Sequence, residues 1–406
     1  MTLGRKSSDP WLFVLGLLAT TFGLIVIFDA GFARSIGQGQ LAPHEFVMQV
    51  ALFPVGLLLY FFASRISPVN LKRLARALWI LTLVLLVLAM VPPFRSSMGG
   101  AYRWVKVGPL MIQPAEFAKL AVILYLAAIL SDRKRWPQRI KPARDLADFL
   151  DRIAGPKLKR AGPAILVLLA IGIIVREPDL GTGAVLAVVM LALLWQGGIT
   201  KASMAGLLCI FLIGVGVAIK LEPYRWVRII EHGRRWDADN VDDIDFQTDQ
   251  SELAQANGGL TGVGPGAGRA KHVLPATTTD FIMATVGEEF GLLGVTVVLA
   301  VIFVMCVRLY SLALKVDGAF GTLVLSGMAT WIAVQTCTNV MMANGLLPAI
   351  GIPLPFISSG GSSLLALWTG LGVCQAALVP VKIKEEDPIA PNRNGGWDGR
   401  SRFSRA

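Results

Sequence analysis

Ten apolar stretches, each near the length a helix needs to cross a bilayer, dominate this 406-residue chain and limit what it can become. A crossing takes roughly 20 mostly apolar residues, and stretches of that kind run over 11–30, 46–64, 74–91, 114–131, 161–176, 182–198, 202–220, 282–307, 319–343 and 362–381. Lipid offers no hydrogen bonds, so each stretch must satisfy its own backbone, as a helix does. An all-α polytopic fold with about ten transmembrane helices is expected. Composition agrees: 54% of residues are hydrophobic and 16% charged, against about 25% charged in soluble domains, which excludes both a soluble globule and a disordered chain. Cys209, Cys306, Cys337 and Cys374 all fall inside apolar runs, so no disulfide framework is legible.

The net charge of +11 is distributed as a topology signal rather than as a nucleic-acid patch. Lys and Arg stay on the cytoplasmic side of short loops. Arg5 and Lys6 precede the first stretch, which reads as a retained anchor. Arg65, Lys72, Arg73 and Arg76 follow the second, and a dense basic run from Arg133 to Arg160 fills the loop 132–160. The tail, with Lys382, Lys384, Arg393, Arg400, Arg402 and Arg405, joins the same side, which requires an even number of crossings and puts both termini in the cytoplasm. Residues 1–384 form a single membrane domain in this reading. Residues 385–406, rich in Pro, Gly, Asn and Arg, read as a disordered cytoplasmic extension. Asp145, Leu146, Asp148, Phe149, Leu150 and Ile153 have the pattern of an interfacial amphipathic helix.

The opposite face carries the loops with chemical content: 221–281, between the seventh and eighth spans, and the Gly-, Pro- and Ser-rich connection 344–363. Ionisable residues at membrane depth are expensive, about 2.5–3.5 kcal/mol each, and mark function by default. Glu116 and Lys119 stand three apart on one helix face after Pro114, and either staple the bundle or line a cavity. Glu177 and Asp179 sit in a charged turn between two apolar runs. Glu288 and Glu289 lie inside the eighth span and read as internally bonded packing residues. Asp280, where a polar loop enters a helix, fits a helix N-cap and equally a general base, if apolar walls raise its basicity. The glycines from Gly258 to Gly268 follow no strand, so a dinucleotide fingerprint is rejected. Two readings remain for them: a flexible loop, or exposed amides that cradle a diphosphate beside Arg269 and Lys271. Pro353 and Pro355 bar a regular helix through 351–363, and irregular backbone at that depth must be buried in protein or line a cavity. His44, His232 and His272 have no metal-ligand spacing, so no metal site is expected.

Taken in order, Gly100-Ala101-Tyr102-Arg103-Trp104-Val105, Gln113-Pro114-Ala115-Glu116-Phe117-Ala118-Lys119, Pro178-Asp179-Leu180-Gly181-Thr182, Leu274-Pro275 to Asp280-Phe281-Ile282, Glu288-Glu289-Phe290-Gly291, and Gly351-Ile352-Pro353-Leu354-Pro355-Phe356 to Ser362-Ser363 resemble the SEDS family of shape, elongation, division and sporulation proteins (FtsW/RodA/SpoVE). The resemblance covers roughly residues 10–380. Ala115, Ala276, Met283 and Ser359 depart from the residues the family commonly has there.

The resemblance implies a peptidoglycan glycosyltransferase that polymerises lipid II into glycan strands at the outer face of the cytoplasmic membrane. It implies a class B penicillin-binding transpeptidase as partner, alongside other membrane proteins of division or elongation, and no nucleic acid. Asp280 matches the family's essential aspartate, Glu116, Lys119 and Asp179 its charged cavity positions, and Arg103 its arginine before the fourth helix. On these residues, Asp280 is the expected general base. Arg103 and Lys119 offset phosphate charge, Glu116 and Asp179 hold Lys119, and Arg269, Lys271 and Ser362 contact substrate. No cofactor is required by this reading, with a need for Mg or Mn left open. The competing readings are a flippase of lipid-linked precursor, which needs a path through the whole bundle, and a non-enzymatic scaffold, which tolerates loss of the Asp280 charge.

Overall fold

The computed structural model describes residues 8–380 except 93, 99–100, 109, 133–154, 235, 237–245 and 275. The expected interfacial helix at 145–153 and the tail 385–406 lie outside the described residues. The chain is mainly helical. Helices α1 (Pro10–Gly37), α2 (His44–Ser64), α3 (Pro68–Met90) and α4 (Pro114–Ser131) are followed by α5 (Gly155–Arg176), α6 (Leu180–Gln196) and α7 (Lys201–Leu221). The expected long loop then holds three helices of its own, α8 (Pro223–His232), α9 (Phe246–Gly258) and α10 (Ala270–Val273). The chain closes with α11 (Ile282–Lys315), α12 (Ala319–Ala343) and α13 (Gly361–Ala377). Seven of these, α1 to α4, α7, α11 and α12, are long and apolar enough to cross a membrane, while α5 and α6 contribute shorter apolar helices. Helix α13 falls on the tenth expected stretch.

Local sequence explains where the helices begin. Asp9 Oδ1 accepts from Leu12 N ahead of Pro10, Ser67 accepts from Asn70 N ahead of Pro68, and Asp179 accepts from Thr182 N. Each side chain satisfies an amide that the helix cannot, and proline at the first position loses nothing. Helix α4 is the hub. It is buried along nearly its whole length and packs against α3, α6, α12 and α13. Gly327 of α12 lets that contact close, since a Cβ there would come within 2.9 Å of Ile123.

The structure departs from the sequence expectation in two places. First, a three-stranded antiparallel sheet, β1 (Arg95–Met98), β2 (Ala101–Val107) and β3 (Leu110–Ile112), stands between α3 and α4. Tyr102, Trp104, Val105 and Val107 are residue types that favour strands, and Arg95 lies over the Tyr102 ring at 4.4 Å. Second, α11 is not one continuous span. Gly291 has φ 65° and ψ −166°, a geometry reserved for glycine, and separates a short segment carrying Glu288 and Glu289 from the apolar length Leu292–Lys315. Those two acids therefore lie outside the long apolar segment.

The Gly258–Gly268 loop closes over that break. Val263 N and Gly264 N donate to the carbonyls of Glu288 and Glu289, and Leu292 N and Leu293 N donate to those of Gly259 and Leu260. Backbone meets backbone with no room for side chains: a Cβ on Gly262 would lie 2.1 Å from Glu289 O, and one on Gly291 2.4 Å from Gly262 N. Gly291→Ala combines a strained positive φ, worth about 1–3 kcal/mol, with this clash, and is expected to lower the melting temperature of the detergent-solubilised protein markedly. Gly216→Ala on α7, where nothing stands within 4 Å, is expected to be neutral or stabilising by up to about 1 kcal/mol in the same measurement.

Candidate functional site

The site is assembled from segments far apart in sequence: β2, the first turns of α4 and α6, the turn before α11, the middle of α12 and the irregular run before α13. That run is expected to need donors, and it has them. Gln335 and Asn339, one turn apart on α12, supply the central ones. Gln335 Nε2 donates to Pro353 O at 2.8 Å, while Asn339 Nδ2 donates to Ile352 O at 2.7 Å and Asp280 O at 2.8 Å. The Ser358 hydroxyl accepts from Leu354 N and donates to Thr279 O, and Ser359 N donates to Thr278 O. Gln49 of α2 completes the set through Ser358 O and Gly360 N.

Around this framework lie four carboxylates and two cations. Lys119 is 1% exposed. Its ammonium donates to Glu116 Oε1 at 2.7 Å and Gln335 Oε1 at 2.9 Å and stands 5.2 Å from the centre of the Trp331 ring. Asp179 caps α6, accepts from Gln113 Nε2 at 2.9 Å, and lies 3.8 Å from Arg103 Nη1. Arg103 is carried on β2 and keeps about a quarter of its side chain exposed. Asp280 and Arg103 both border Gly351: a Cβ there would lie 3.7 Å from Asp280 Oδ2 and 4.0 Å from Arg103 Nη1. The φ of 71° at Gly351 is a backbone conformation that favours glycine.

Several expected roles change with this geometry. Lys119 and Asp179 do not pair: Asp179 answers Arg103, and Lys119 is sealed among Glu116, Gln335 and Trp331. Lys119 is thus an internal strut rather than a group facing a phosphate. Ser362 is buried, its hydroxyl accepting from Gln113 N at 3.0 Å, and so orients the start of α4. The glycine loop turns its amides inward onto the chain's own acids. Its amides at Gly266 and Gly268 bond Glu289, and those of Arg269 and Ala270 bond Glu288. Lys271 is buried between Glu289 at 2.8 Å and Asp29 of α1 at 3.0 Å. Of the three expected substrate contacts Arg269, Lys271 and Ser362, Arg269 is the one that is exposed. Glu288 and Glu289 do have the structural role expected of them. Asp280 is no helix cap, since Phe281 holds that position without a side-chain bond.

Asp280 is left with a carboxylate that accepts no hydrogen bond among the described residues and is only partly buried. Burial, reinforced by Asp179 and opposed by Arg103, pushes its pKa up to about 6. Glu177, in the charged turn before α6, is buried to 1% exposure with neither carboxylate oxygen hydrogen-bonded. Burial and the Asp179 charge raise it to about 8 against the pull of Arg103, so it is neutral at pH 7. Its only sequence signal is an acid locked between an arginine and a proline at the end of an apolar run.

A helical bundle with many apolar spans, a charged interior and an irregular segment lining it defines a polytopic membrane protein with a polar site at one end. The chain belongs to the FtsW/RodA/SpoVE family of cell cycle proteins, whose signature matches residues 10–381. It is 32% identical to stage V sporulation protein E of Bacillus subtilis over 92% of this chain and 97% of that one. It is 29% identical to a probable peptidoglycan glycosyltransferase FtsW of Coxiella burnetii, over 90% and 95%. Among solved structures, a chain from a peptidoglycan synthase complex that coordinates polymerization and crosslinking matches with TM-score 0.70 and 27% identity, over 91% of this chain and 97% of that one. The rod shape determining protein RodA of Thermus thermophilus matches with TM-score 0.62 and 26% identity, over 92% and 97%.

Two measurements test the electrostatics. The folded protein keeps the Glu177 proton above pH 4.5, where the unfolded chain releases it, so stability falls as pH rises from about 4.5 to about 8. Glu177→Gln is expected to remove that slope and to gain on wild type as pH rises through the window, by up to roughly 4 kcal/mol, in melts at fixed ionic strength. Lys119→Ala strands a buried Glu116 and is expected to cost about 3–5 kcal/mol, with partial recovery in Lys119→Ala/Glu116→Gln.

Proposed function

We propose that this protein is a peptidoglycan glycosyltransferase that polymerises lipid II into glycan strands at the outer face of the cytoplasmic membrane, with Asp280 as general base. The observation that carries this is the state of Asp280. Of the carboxylates around Arg103, it alone is both partly exposed and free of hydrogen bonds among the described residues, and its pKa of about 6 leaves it ionised yet basic at neutral pH.

The acceptor sugar hydroxyl oxygen attacks the donor anomeric carbon, and the hydroxyl proton passes to Asp280. The bond from that carbon to the diphosphate oxygen breaks, and its electron pair leaves with the diphosphate. Arg103, beside Asp280 at Gly351, offsets the charge that develops there. Asp179 holds the guanidinium from behind at 3.8 Å, and Gln113 holds Asp179. Lys119 and Glu116 keep α4 and α12 in register below the site, and the exposed Arg269 side chain is placed to meet polar parts of the substrate. The curated relatives named peptidoglycan glycosyltransferase and the peptidoglycan synthase neighbour support the substrate class. A class B penicillin-binding transpeptidase is the partner we propose, with ten crossings and both termini in the cytoplasm. A flippase needs a polar path through the bundle, whereas below Lys119 helix α4 is buried in apolar contacts.

The assay is polymerisation of lipid II by purified protein with its transpeptidase partner. Asp280→Asn is expected to abolish polymer while leaving the melting temperature near that of wild type, and undiminished polymer would remove the base from the mechanism. Wild-type activity is expected to fall as pH drops through about 6, where Asp280 takes up its proton. A chelator arm in the same assay reads whether Mg or Mn takes part.

A further inference from the structure

Helix α8 is built the wrong way round for a loop helix in water. Arg225, Arg228 and His232 fall on one stripe at 100° per residue, and all three point into the protein. Arg225 donates to Val175 O at 2.8 Å and Ala218 O at 3.0 Å, Arg228 to Ala349 O, and His232 lies 3.0 Å from Gly345 O. The outward face is apolar: Trp226, Val227, Ile229 and Ile230 are each more than a third exposed. A soluble amphipathic helix does the reverse, burying its apolar side and wetting its charges.

Two further observations identify what covers that face. Helix α7 ends at Leu221 and α8 begins at Pro223. Helix α7 is an apolar membrane-length helix with none of its residues buried in the protein, so it presents apolar surface outward along its length. The apolar face of α8 continues that surface around a single-residue corner. Exposed Trp226 and Trp236 at this end are the residue type that concentrates at the boundary between headgroups and acyl chains.

We propose that α8 lies in the plane of the membrane, its apolar face in the acyl-chain boundary of the leaflet on the Asp280 side and its basic face bolted to the bundle. Its anchor points flank the site. Val175 is two residues before Glu177, and Ala349 is two residues before Gly351, which Asp280 and Arg103 both border. The helix thus brings lipid to the edge of the polar cluster.

The test uses the full chain, with its four native cysteines replaced by alanine, in nanodiscs of phosphatidylglycerol and phosphatidylethanolamine. Single nitroxides at Trp226→Cys and Ile230→Cys report collisions with oxygen, which partitions into lipid, and with a water-soluble nickel chelate. Oxygen is expected to exceed the chelate severalfold at both positions. Equal access of both reagents in nanodiscs places the face in water and overturns the proposal. Protection from both overturns it too, because another protein surface, a second copy included, then covers the face. The readout needs no polymerase activity, so it succeeds or fails independently of the reaction assigned above.

Discussion

Irregular backbone cannot rest among apolar helices unless every carbonyl and amide finds a partner, and this constraint organises the molecule around Gln335 and Asn339. Their side-chain amides take the carbonyls of Pro353, Ile352 and Asp280 at 2.7–2.8 Å. The same Gln335 oxygen accepts from Lys119 and from Trp331. One residue of α12 therefore joins the buried ion pair of α4 to the segment whose Gly351 receives Asp280 and Arg103. An unmade bond at such a site costs about 1–3 kcal/mol, so the network is close to all-or-none, and the geometry around Gly351 inherits its rigidity.

The charges divide into two sets by what they can touch. Glu116 and Lys119, Glu288 and Glu289 with Lys271, and Asp179 are consumed by contacts inside the chain. Asp280 and Arg103 keep accessible surface and lie together. Glu177, neutral and buried behind them, spares the cluster a further negative charge. Arg103 can serve an incoming anion because the acids that hold it do not also neutralise it twice over.

How much of this was legible beforehand depended on range. Apolar runs and their caps are local, so the helices fall close to the expected stretches, with Pro10, Pro68 and Pro114 marking three starts. The motif residues Arg103, Glu116, Lys119, Asp179 and Asp280 stood out as charges in apolar surroundings. Which of them pair did not, because the Arg103–Asp179 and Lys119–Gln335 contacts join segments with no shared periodicity. Glycine spacing alone cannot tell an anion cradle from a close backbone approach. The pair Glu288-Glu289 was the missed hint, since two adjacent acids in an apolar setting require donors, and Gly266 to Ala270 supply them. The small sheet escaped notice because its strands are three to seven residues long and interrupted by Gly and Ser.

The interruption at Gly291 has a mechanical consequence. Beyond it, Leu292–Lys315 is a rod of roughly 35 Å. Its first amides, Leu292 N and Leu293 N, bond the same glycine loop that takes the carbonyls of Glu288 and Glu289 on the other side of the break. The loop is therefore a splint across the kink, and a tilt of the rod in a thicker or thinner bilayer would be transmitted to the segment that follows Asp280.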